Sequence, residues 1–239
     1  MYRLIRSLVA TLPLLCGVSH AQEALKNVGE QMAHYYENPN PEAFVSWIKD
    51  ASAAGAFEKS SAQLSMMIFM SEVIRSNPDK GAAWCKELSS LPSANKPYVA
   101  WSFHNANIRA QDECIQDLLG LSDEDKKKVL SAERHYPLAR QPTTPSDLDM
   151  LWATFMATGN ELAVNRIIDV LGMPSPEKGT PGSIEMLLLK SAAKWSLSSN
   201  IQQHRRVFEI ANTRRSVESG ALRKELDEAI ETATTKRRD

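Results

Sequence analysis

Three features of this 239-residue chain predict an all-α fold. Apolar residues recur at i, i+3, i+4 and i+7 along most of its length, the signature of amphipathic helices. No segment alternates with period two over a useful length. Asn-Pro, Leu-Pro and glycine breaks cut the periodic runs into helix-sized pieces. Roughly ten helices of about 10–15 residues, joined by short turns, suggest antiparallel helix pairs. Pairs stacked in chain order would make an α-solenoid-like array; the alternative is an irregular helical bundle.

Each element has its own local reason. Asn40-Pro41-Glu42 reads as a cap, a first-turn proline and an N-terminal acid, and behind it Phe44, Trp47, Ile48 and Ala51 share one face. Residues 64–74 are apolar nearly all round, the pattern of a central buried helix, and Asn77-Pro78 ends the run. Trp84, Cys85 and Leu88 mark the next helix, closed at Leu91-Pro92. Pro97 opens another with Val99, Phe103 and Ala106 aligned, and Cys114, Ile115, Leu118 and Leu119 form one more, closed by Gly120. Ser122 and Asp125 resemble a capping box for the charged helix around 126–130. Residues 136–147 hold Pro137, Pro142 and Pro145 with no apolar period, which predicts a linker between helical halves at 22–135 and 148–239.

The second half restarts with Leu148, Leu151, Trp152, Phe155 and Met156, and Gly159 suits the position just past a helix end. A return helix over 162–171 stops at Gly172, and the hairpin 151–171 looks like a tetratricopeptide-type pair without that motif's repeated residues. The Pro/Gly loop 173–182 is long for a helix–helix connection. Ile184, Leu187, Leu188, Ser191 and Trp195 form the next stripe, followed by Ile201, His204, Val207, Phe208 and Ala211. Leu222, Leu226, Ala229, Ile230 and Ala233 close the chain's pattern.

The first 21 residues bound the compartment. Arg3 and Arg6 precede an apolar run over 7–18 and a Ser19-His20-Ala21 exit, the layout of a cleaved secretory signal peptide. The run is too short to cross a bilayer as a stable anchor, and Cys16 follows Leu15 where a lipid-modified cysteine needs a small residue. The expectation is a periplasmic or secreted protein starting at Gln22, with no transmembrane segment after cleavage. Loss of the two leader arginines moves the net charge from −1 to −3, which argues against a nucleic-acid partner. The remaining cysteines, Cys85 and Cys114, would pair in an oxidising compartment; the alternative is two buried free thiols.

No catalytic constellation stands out. Ser46-Trp-Ile-Lys49 and Ser191-Ala-Ala-Lys194 have S-x-x-K spacing but lack the companion motifs and the sheet of penicillin-binding enzymes. His34, His104, His135 and His204 have no histidine or cysteine partner at i+3 or i+4, so no metal is expected, and they read as surface or capping residues. Met66, Met67 and Met70 are thioethers that suit Cu(I), yet they sit in the fully apolar helix and read as core. There is no phosphate loop, dinucleotide fingerprint, C-x-x-C or haem-attachment motif, so no cofactor is implied. A peptidoglycan-cleaving helical enzyme would need one placed, pKa-raised glutamate, and no motif selects one. The strongest surface signal is basic: Arg205, Arg206, Arg214 and Arg215 form a candidate patch for an acidic protein face or another anionic envelope component. The loop 173–182 is a second candidate contact region.

The strings Asp147-Leu-Asp-Met-Leu-Trp-Ala-Thr-Phe-Met-Ala-Thr-Gly159 and Ala192-Ala-Lys-Trp-Ser-Leu-Ser-Ser-Asn200, followed by His204-Arg205-Arg206-Val207, resemble segments of exported, all-helical, loosely tetratricopeptide-like bacterial proteins. That resemblance carries no assigned activity and implies only compartment and fold. Together these readings predict an exported helical-repeat protein that works by binding a protein or envelope component. A peptidoglycan-acting enzyme and a carrier of a small ligand or metal are the alternatives.

Overall fold

The structure, a computed structural model, describes residues 14–235 apart from Ser175 and Lys178, with the backbone alone over 14–21. The expected leader therefore falls outside the described residues except for that stretch of backbone. Among the described residues the chain is all helical, with no strand.

Helix α1 (Leu14–Ala33) spans the expected cleavage point. It passes through 3-10 turns at Tyr35–Glu37 and Pro41–Ala43 into α2 (Phe44–Ala53). Then come α3 (Ser60–Ser76), α4 (Gly81–Leu88) and α5 (Lys96–Ala106). The short α6 (Gln111–Glu113) runs into a π turn at Cys114–Leu118, followed by α7 (Asp123–Ser131). The second part is α8 (Pro145–Thr158), α9 (Glu161–Gly172), α10 (Ser183–Gln203), α11 (Arg205–Val217) and α12 (Gly220–Thr235).

The caps follow the local chemistry. Asn40 Oδ1 accepts from the Ala43 amide at 3.3 Å, and Ser122 Oγ accepts from the Asp125 amide at 3.1 Å. Gly159 closes α8 with φ 66°, a left-handed conformation that glycine adopts without a Cβ penalty. Helix α8 begins at Pro145, within the proline-containing stretch read as linker. Proline fits a first-turn position because its missing N–H would have no partner there. The Asp147 carboxylate accepts from the Thr143 and Thr144 amides, both at 2.9 Å, and completes a capping box with Thr144. Earlier in the same stretch, Pro137 is buried and its 3-10 turn packs on α8 and α9.

Helix α3 is the centre of the first part. It lies against α5 and, most extensively, against α8. Ile68, Phe69, Met70, Val73 and Ile74 are all at most 1 % exposed. Consecutive helices pair from α8 through α12, as stacked hairpins require, while the α3–α8 packing joins elements distant in sequence. One apolar core therefore runs from Val28 to Ala233. Cys85 on α4 and Cys114 in the π turn lie at disulfide-bonding distance, with Cα atoms 5.6 Å apart and both residues fully buried. No helix among the described residues is long and apolar enough to cross a membrane.

One stripe differs from expectation. The residues Ile184, Leu187, Leu188 and Trp195 are 69, 65, 58 and 71 % exposed, whereas Leu189, Ala193, Leu197 and Ile201 of the same helix are buried. Helix α10 is apolar on two faces, and its neighbours α8, α9, α11 and α12 cover only one. The periodicity running on into α11 is also interrupted: His204 is extended (φ −121°, ψ 112°) and ends α10 while opening α11.

Candidate functional site

The bare face of α10 borders a long groove. Gly179 and Gly182 take φ of 87° and 82°, turning the 173–182 loop back on the start of α10. Pro176, Gly179 and Thr180 of that loop, Ile184 and Leu187 of α10, and Glu225 of α12 line an open trough of about 810 Å³. A further hollow of about 380 Å³ continues it past Trp195 to Gln202 and Thr232. Ser191 and Lys194 border both. From Ser183 to Gln202 the trough follows α10 for about 28 Å at the helical rise.

A polar bridge crosses the trough at its middle. Lys194 Nζ donates to Glu225 Oε2 at 2.9 Å and also to Glu228 Oε2. Burial opposes the charged amine, but the two carboxylates outweigh it and hold Lys194 above its ordinary pKa. The Lys194 amine of this S-x-x-K pair is thus turned to the two carboxylates of α12. In the other pair, both residues are exposed and Ser46 Oγ donates to the Ala43 carbonyl at 2.8 Å.

The four arginines lie apart from the trough, and each engages a carboxylate of this chain. Arg205 pairs with Glu209 at 2.9 Å, and Arg206 with Glu161 and Glu209. Arg214 pairs with Asp169 at 2.9 Å and Glu218 at 2.7 Å, and Arg215 with Asp227 at 3.6 Å. Arg206, Arg214 and Arg215 thus tie α11 to α9 and α12, while the Arg205 pair stays within α11.

Met66 and Met70 are 4 % and 0 % exposed in the core. The well-buried glutamate, Glu72, is held by Arg75, whose guanidinium also donates to the Asn105 and Ala106 carbonyls. His104 is buried, contrary to a surface reading, because its Nε2 hydrogen-bonds the Ala132 carbonyl at 3.0 Å. His135 lies against the Trp101 ring, centroids 5.7 Å apart.

The remaining two histidines come together. His34 follows α1, Glu37 lies in the next 3-10 turn, and His204 sits between α10 and α11. Their ligand atoms all lie within 4.8 Å of one another. His34 Nδ1 and Glu37 Oε1 are 3.1 Å apart, and His204 Nδ1 is 4.0 Å from the same oxygen. The Tyr36 hydroxyl donates to Glu37 Oε1 at 3.1 Å and lies 3.3 Å from His204 Nδ1. Burial, reinforced by the neighbouring His34, pushes the His204 pKa down from 6.5. The hydrogen bond from His34 leads the groups that hold the Glu37 carboxyl below its ordinary range. No spacing rule within one helix finds this cluster, because 167 intervening positions separate Tyr36 from His204.

No known protein family, characterised protein or solved structure matches this chain.

Proposed function

We propose that this protein is an exported helical scaffold that binds an amphipathic helix of a partner protein along the outer face of α10. The observation that carries this reading is the bare row Ile184, Leu187, Leu188 and Trp195, spaced i, i+3, i+4 and i+11 beside the trough. Leaving these side chains in water forgoes about 1.5–3 kcal/mol for each that burial would recover. A contiguous apolar row with a polar rim marks an interaction site.

The dimensions support a single helix as the occupant. A standard interface between two globular proteins takes about 20–30 residues from each side, far more than this row supplies. A single helix anchored at i, i+3, i+4 and i+7 needs only a groove of this kind. The trough's length would seat roughly five turns of such a helix. The Lys194 bridge to Glu225 and Glu228 offers both charges at its middle, which suits a helix with a mixed polar edge. Export is supported by the basic-apolar-small leader, and by the Cys85–Cys114 pair, since disulfides persist in oxidising compartments.

Site-specific photo-crosslinking tests this. A photoreactive residue at position 187 or 195 should yield a protein adduct whose cross-linked peptide carries apolar residues at helical spacing. The same probe at the exposed Lys127 of α7 should yield none. An adduct of twice the chain's mass, an adduct with lipid, or no adduct from either position would overturn the helix-binding reading.

A further inference from the structure

We propose that His34, Glu37 and His204 form a site for a divalent transition-metal ion of the zinc class, which clasps the N-terminal segment to the corner between α10 and α11. Two imidazoles and one carboxylate are a donor set that zinc accepts, and three protein ligands leave a fourth position open. Zinc–ligand bonds of about 2.0–2.2 Å put tetrahedral donors roughly 3.3–3.6 Å apart. The separations of 3.1 and 4.0 Å around Glu37 Oε1 bracket that spacing. The three donors all lie within 4.8 Å of one another, and side-chain rotation would bring them onto one ion.

The surroundings are those of a metal site rather than of a chance cluster. His204 is 1 % exposed, with its Nδ1 directed at Glu37 and the Tyr36 hydroxyl. His34 turns its other nitrogen, Nε2, toward Glu30 Oε2 at 3.9 Å. That places an outer carboxylate on the side of the imidazole away from the cluster, beyond hydrogen-bond distance. The His34 and Glu37 side chains are 40 and 49 % exposed, so an ion can reach the site from solvent. Tyr36 packs on Phe155 of α8, centroids 4.6 Å apart, which anchors the turn that presents Glu37.

The ion would tie the N-terminal turn to the α10–α11 corner beside the Tyr36–His204 contact of 3.3 Å. It would act on the fold of the N-terminal turn, on the opposite end of α10 from the loop 173–182. It is thus independent of whether the α10 trough binds a helix.

Calorimetric titration of the untagged full protein with zinc tests the proposal. One equivalent should bind, and the thermal midpoint should rise with free zinc. His34→Ala and Glu37→Gln, both at half-exposed side chains, should keep the helical circular dichroism and lower zinc affinity about 10-fold or more. Cobalt substitution should give the visible absorption of a tetrahedral nitrogen/oxygen site, lost in His34→Ala. His204→Ala should abolish binding, but the two exposed-side variants decide the matter if it fails to fold. Absence of stoichiometric uptake, or uptake unchanged in both His34→Ala and Glu37→Gln, would overturn the proposal.

Discussion

Helices α3 and α10 start from the same sequence property and end differently. Both carry apolar side chains on more than one face. On α3 every such face is covered, by α5 on one flank and α8 on another, and Phe69 is 1 % exposed. On α10 the face with Leu189, Ala193 and Leu197 is covered, and the face with Ile184, Leu187 and Trp195 is bare. Apolar patterning specifies that a face can be buried; the number of neighbours decides whether it is. An uncovered apolar face on a well-packed helix is therefore surplus to folding, and the proposed recognition role rests on that surplus.

The sharpest way to break this comparison is to truncate the covered side. Phe69→Ala removes a ring packed on Tyr35 and Trp47, at centroid distances of 5.4 and 5.1 Å. Its loss should cost about 3–5 kcal/mol in urea denaturation. A small effect would mean that α3 is not the fold's centre.

Next in size is the link between α4 and the π turn beside α5. Replacing Cys85 and Cys114 together with alanine should cost about 3–4 kcal/mol, the chain-entropy value for closing a loop of this length. Equal stability of the double variant and the wild type under oxidising conditions would show that the sulfurs are not bonded.

A smaller effect is expected at the N-terminus of α8, the helix that covers α3. Burial pushes the Asp147 carboxyl up, but hydrogen bonds from the Thr143 and Thr144 amides and hydroxyls outweigh it and hold it below 3.8. A carboxylate with a depressed native pKa contributes stability that is full above the ordinary value and is lost as pH falls through the native one. Asp147→Ala should cost about 1–3 kcal/mol at neutral pH. It should also flatten the acid limb of the stability profile below 3.8. An unchanged acid limb would separate Asp147 from acid unfolding.

The smallest expected effect is on the bare face. Leu187→Ala should change stability by about 0.5 kcal/mol or less, while Leu197→Ala on the covered face of the same helix should cost about 2–5 kcal/mol. Equal costs at the two positions would erase the distinction between the faces.

Much of this arrangement was legible in the chain itself. Helix class, the Asn40 and Ser122 caps and the role of Gly159 all depend on contacts within a few residues, and they stand where the periodicity and capping rules put them. The start of α8 was displaced by three prolines in 136–147, because proline ends one helix and opens another with the same residue. Three of the four arginines read as a surface patch also pair across helices, since Glu161, Asp169 and Asp227 approach only once α9 and α12 have docked. The groove brings together the 173–182 loop, read from the sequence as a contact region, and Ser191-Lys194, weighed there for catalysis. The triad of His34, Glu37 and His204 had no linear signature, because its members meet across nearly the whole described chain.

What the sequence determined alone is local: where the backbone coils, where each helix starts and stops, and which faces are apolar enough to leave water. Hydrogen bonds within four residues and the 3.6-residue repeat are sufficient for that. Which apolar face found a cover, which arginine found a carboxylate, and which histidines came to share one oxygen were decided by tertiary packing. Those outcomes depend on distances between residues far apart in the chain, which no local pattern encodes.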